Sequence, residues 1–153
     1  MSPQDFVAFR SQLAPASGFQ SVQFREIEFV SGLKEPKYLA RIEGSQEEMG
    51  RLQRRLDEPS LADALHALIQ RRGSPSLLAI FRDRERHGDL FDLCEAMLDH
   101  DEAFAHWRAR HVLMVERQIG SKTGTGGSSG AQYLRSTLGK RFFPDLWEVR
   151  SQL

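Results

Sequence analysis

Three places in this 153-residue sequence put chemically capable side chains where packing alone would not ask for them. Arg10 follows Phe9 directly, four residues after Phe6 and three before Leu13, so it lies on or beside the apolar face of a helix. A charge there is costly unless it is paired. Either its stem covers the core while the guanidinium reaches solvent, or the guanidinium is a bidentate clamp for a carboxylate. His111 follows Phe104 and Trp107 and precedes Met114 at helical spacing, with Val115 alongside, which predicts an imidazole facing the same way as large apolar groups. Such a histidine is either a satisfied core residue or an axial ligand to a flat apolar cofactor. A haem iron needs one nitrogen donor and an apolar wall from that side. The rings of His106 and His111 are five residues apart and turn away from each other, and no HExxH occurs.

The third place is the stretch Gly120 to Gly130, "GSKTGTGGSSG", with five glycines, three serines and two threonines in eleven residues. Ordering a glycine loses more backbone entropy than ordering any other residue, so a purely structural turn has no use for this many. One reading is a flexible linker. The other is a lid whose backbone N–H groups and hydroxyls close over a charged small molecule. A phosphate-binding P-loop is excluded, because Lys122 follows Ser121 instead of glycine and the preceding segment reads as a helix.

The elements that must position these groups read as helices throughout. Ser2, Pro3 and Asp5 make a helix start, continued by Phe6, Phe9 and Leu13. A second periodic stretch runs from about Phe19 to Leu33, and Ser45 with Glu48 forms a capping box. "EPSLADALHALIQRRG" predicts a helix with Leu61, Leu65, Leu68 and Ile69 on one face and Gly73 beyond its end. The segment from Asp89 to Gly120 is the longest periodic run and is consistent with two consecutive helices; Pro144 opens a last one. No run alternates with period two, which predicts a single all-α domain over residues 1–153.

Composition limits the function classes. Twenty-one basic residues cancel twenty-one acidic ones, leaving no global electrostatic case for nucleic acid or an anionic membrane. A hydrophobic content of 40% is that of a globular chain. The single Cys94 excludes an intramolecular disulfide or a multi-cysteine metal site. No apolar run is long enough to span a bilayer, and "MSPQDFVAFR" lacks the pattern of a signal peptide, so a reduced, cytoplasmic setting is expected.

Taken together, "FVAFRSQLAPASGFQSVQFREIEFVSGL", "HWRARHVLMVERQIGSKTGTGGSSGAQYLR" and "FFPDLWEVR" resemble the tryptophan 2,3-dioxygenase family across essentially the whole sequence. The resemblance implies an all-α haem-binding fold of the tryptophan/indoleamine dioxygenase type. It implies that haem b is held through His111, that Arg10 grips the substrate carboxylate, and that Thr125 contacts the amino-acid end of L-tryptophan as the loop closes. Phe6, Leu13, Ser17, Gly18 and Phe24 match residues lining the substrate and haem pocket, and Val115 sits one turn past the iron ligand. Where this chain has Phe24 the family often has tyrosine, which removes a hydroxyl from the haem side. The implied reaction inserts O2 across the indole C2–C3 bond to give N-formylkynurenine.

Upstream of the part matching "DFVAFR", the family carries an "HQ…ELWF"-like motif whose histidine hydrogen-bonds the indole nitrogen on the distal side of the haem. These 153 residues contain no such motif. The expectation is that a partner chain or a second copy of this one, in a homo-oligomer, completes the site and covers the helix faces meant for that region. The alternatives are a haem-binding module without tryptophan cleavage (a sensor, or an oxygenase for another indole) and a remnant serving as an interaction partner.

Overall fold

A computed structural model describes residues 17–36, 39, 44–122 and 130–153, and among them all regular structure is helical. The expected helix from Ser2, carrying Phe6, Arg10 and Leu13, lies outside the described residues, as does Thr125. The chain divides into two compact units, Met1–Ser60 and Leu61–Leu153.

The described part of the first unit pairs α1 (Ser17–Ser31) with α2 (Gln46–Asp57). Val22, Phe29 and Leu52 are fully buried, with Leu39, Met49 and Leu56 packed against them. Removing side chains of this size from water stabilises by roughly 1.5–3 kcal/mol each. The capping box forms as expected: Ser45 Oγ accepts from the Glu48 amide at 3.1 Å, and Glu48 Oε2 accepts from the Ser45 amide at 2.7 Å. Ion pairs at the edge of this core also join the two helices. Glu26 on α1 meets Arg51 at 3.0 Å and Arg55 at 3.3 Å, two cations one turn apart on α2. The buried Glu28 is held by Arg25 at 2.6 Å.

In the second unit α3 (Leu61–Arg71) buries Leu65, while Leu68 and Ile69 are half-buried and Leu61 is exposed. The predicted apolar face therefore holds except at its first residue, where the helix has only begun. Gly73 follows the end with φ +88°, a left-handed conformation that a Cβ would strain. The short α4 (Leu77–Arg82), which the sequence pattern did not single out, is capped by Ser76 and buries Ile80 and Phe81.

The long α5 runs from Arg84 to Ile119. Its one non-helical backbone position is His87, so the stretch from Asp89 onwards is a single helix and not the two expected. The physical reason is compositional: no glycine or proline interrupts residues 89–119. The sole cysteine, Cys94, lies on its buried face, and burial pushes its thiol up to about 11. Beyond Lys122 the described chain resumes at Gly130. Short α6 (Ala131–Ser136) packs on α5, and an Arg135–Glu116 ion pair joins the two. The C-terminal α7 (Pro144–Glu148) has proline in its first turn, as expected, and continues into a 3-10 turn over Val149–Gln152. Phe142, Phe143, Leu146 and Val149 are all buried. No helix of the described residues is long and apolar enough to cross a membrane.

Candidate functional site

The middle of α5 decides where His111 points. Its buried positions are Leu90, Cys94, Met97, Leu98, Asp101, Arg108 and Val112. Asp101 and Arg108 are seven residues apart, two helical turns, and so lie on one face. The expectation that His111 faces the same way as Phe104 and Trp107 holds, since their rings stack in series, but this shared face is not the most buried one. Trp107 is 44% exposed, and Phe104, His111, Met114 and Val115 are half-buried. One residue of offset rotates a helix by about 100°, enough to put Arg108 and Val112 inside and Trp107 and His111 at the rim.

The buried face is held by polar contacts. The Asp101 carboxylate, wholly buried, accepts hydrogen bonds from the Phe142 amide at 3.0 and 3.1 Å, the Phe143 amide at 3.1 Å and Trp147 Nε1 at 2.9 Å. It therefore ties the entry to α7 onto α5. The Arg108 guanidinium donates to the Lys140 carbonyl at 2.8 Å and lies over the rings of Phe104 at 4.8 Å and Phe142 at 5.4 Å. Buried charges persist only where such partners surround them. An apolar-periodicity reading scores aspartate and arginine as surface residues, so it missed both. Their seven-residue spacing between Leu98 and Val112 is the signal that was available.

His111 then completes a series of ring contacts. Its imidazole stacks on Trp107 at 4.8 Å with 14° between planes. Trp107 stacks on Phe104 at 5.7 Å, and Phe104 packs on Phe142 at 4.9 Å. Burial holds the His111 pKa below the usual histidine value of 6.5, because the charged form is penalised away from water. The imidazole is therefore neutral at pH 7, the state in which a ring nitrogen has a lone pair to offer. Among the described residues neither of its nitrogens has a hydrogen-bond partner. Val115 lies one turn further along the same helix, half-buried.

The remaining sequence-selected residues fall elsewhere. Phe24 is half-buried on α1, in the other unit, with the Arg25 guanidinium 5.6 Å from its ring centre. Ser17 and Gly18 form the start of α1, where only the backbone is described. Arg10, Phe6, Leu13 and Thr125 lie outside the described residues. Among the described residues no group of three or more His, Cys, Asp or Glu side chains could hold a metal ion.

Among the described residues all regular structure is helical, and one neutral, half-buried imidazole stands at the end of an aromatic series. Comparison with known proteins makes the assignment specific. The family model for tryptophan 2,3-dioxygenase matches residues 1–76 and 72–153, and the chain belongs to that family. It is 53% identical to a tryptophan 2,3-dioxygenase of Nocardioides sp., with all of this chain and 61% of the relative covered. The corresponding protein of Herpetosiphon aurantiacus is 46% identical, with 65% of its length covered. That of Caulobacter vibrioides is 39% identical, with 66% covered. The chain thus spans less than two thirds of the length of these relatives, each over the whole of its own 153 residues.

Proposed function

We propose that this chain binds haem b through His111 and serves in the oxidative opening of the indole ring of L-tryptophan, giving N-formylkynurenine. Family membership supports the reaction class. The observation that carries the assignment to His111 is its imidazole: neutral, half-buried, stacked on one face, and without a hydrogen-bond partner among the described residues. These properties fit a ligand to a haem iron, which needs one unprotonated nitrogen beside apolar surface. When bound, haem would supply the activation of O2.

The chain's own contribution would be binding and orientation. Arg10, matched by resemblance to the family's carboxylate-gripping arginine, would anchor the amino acid. Thr125 would contact its amino-acid end. Phe6, Leu13, Ser17, Gly18 and Phe24 would line the pocket, with Val115 beside the haem. A further chain, a second copy or a partner, would supply the distal wall carrying the family's "HQ…ELWF"-like motif.

Reconstitution tests the reading. The full chain with haem should show a Soret band that His111→Ala removes; a band unchanged by that substitution would sink the assignment. Adding L-tryptophan under air, with and without a chain carrying the distal motif, should yield N-formylkynurenine detectable by mass. Arg10→Ala should weaken tryptophan binding more than haem binding.

A further inference from the structure

A histidine side chain on a helix turns about two torsions, and a useful ligand must be held at one setting of both. Metal-bound imidazoles are commonly fixed by a hydrogen bond from the second ring nitrogen to a carboxylate or carbonyl. Among the described residues His111 has no such bond. What it has is a flat surface: the indole of Trp107, one turn earlier on α5, nearly parallel at 14° and 4.8 Å away.

That indole is itself held, although it is 44% exposed. It also stacks on the Phe104 ring, at 5.7 Å and 27°. Phe104 rests on Phe142 at 4.9 Å, and the Arg108 guanidinium lies over both of these phenyl rings. The Phe142 amide is fastened to the buried Asp101 carboxylate. A continuous line of contacts therefore runs from a buried anchor between α5 and the C-terminal segment to the imidazole at the rim. The half-exposed indole thus presents one flat face to the imidazole and is seated from behind by the phenyl rings.

We propose that Trp107 is a positioning residue for His111, its indole face fixing the imidazole plane and so the direction in which the ring nitrogen is offered. The inference rests on the reading of His111 as the haem ligand. It adds a role for the C-terminal segment, because Phe142, through Phe104, sets the seat of the indole.

The test uses the full chain with Trp107→Leu, which removes the flat face, Trp107→Phe, which keeps one, and His111→Ala. Without haem, nuclear magnetic resonance reads the His111 ring protons, which the indole ring current shifts upfield. With ferrous haem, resonance Raman reads the iron–imidazole stretching band, and titration reads haem affinity. Trp107→Leu should move the ring protons downfield, shift or broaden the Raman band, and lower haem affinity by roughly tenfold, the usual scale for an outer-shell partner of a metal ligand. Trp107→Phe should recover most of each. Amide resonances of Phe142 and Phe143 report that the fold is intact, and Trp107→Gln is the substitute probe if the leucine variant fails to fold. A Raman band unchanged by Trp107→Leu but lost in His111→Ala would overturn the positioning role and leave the haem reading standing. A haem spectrum unchanged in His111→Ala would overturn both.

Discussion

Two faces of one helix, separated by a single residue of offset, are built on opposite terms. On the inner face of α5, Asp101 is wholly buried and Arg108 nearly so, and each is bonded to the C-terminal segment. On the rim, Trp107 is partly in water and the His111 imidazole has, among the described residues, a stacking partner but no hydrogen bond. Both faces carry polar groups. On one, hydrogen bonds from polar side chains hold the fold; on the other, a lone pair is left available. The difference shows that buried charges can define a helix's orientation while a less buried neutral group is left with a lone pair to offer.

The largest break in this contrast should come from Asp101→Ala. It strands two buried backbone N–H groups and an indole N–H. Leaving buried donors unsatisfied and losing hydrogen bonds to a charged group costs roughly 3 kcal/mol or more in total. Urea unfolding should show a loss of that size, and the His111 ring protons should move with it, since the seat of Phe142 is released. A stable variant with unmoved ring protons would refute the link between the two faces.

A smaller effect is expected from pH. Burial holds the His111 pKa below 6.5 in the folded chain. The unfolded chain therefore takes up that proton first as pH falls, so this residue's contribution is present above the unfolded value near 6.5 and is lost on acidification towards the lower folded value. Unfolding of the haem-free chain followed between pH 7.5 and 5 should thus fall more steeply in the parent than in His111→Gln, for which that term is absent. Equal slopes would mean that the imidazole is no more buried than in the unfolded chain.

The smallest effect is expected at Leu113, 60% exposed on the same helix. Leu113→Ser should change stability by no more than about 0.5 kcal/mol, as surface substitutions do, and should leave both the ring-proton shifts and haem binding as they were. A large loss would show that the rim beyond His111 is packed more closely than the helix geometry implies.

Much of the fold was legible in the residues taken in order. The Ser45–Glu48 capping box, the stop at Gly73 and the start at Pro144 are local signals, and each forms. Local signals survive because their partners are three or four residues away and meet whenever the helix forms. The orientation of α5 was not legible in the same way. Apolar periodicity put Phe104, Trp107 and His111 on one face, and they do stack there, but it did not show that the buried stripe runs through Asp101, Arg108 and Val112. The partners that decide it lie 32 to 46 residues away, at Lys140, Phe142, Phe143 and Trp147.

By itself the sequence determined the helical class and the family, and it singled out His111 as an imidazole set among apolar groups. Only the tertiary structure decided which way that donor faces and what it leans on. Periodicity records which side chains share a face but not which face the fold buries, and here burial is settled by hydrogen bonds to a distant segment that hydropathy does not score.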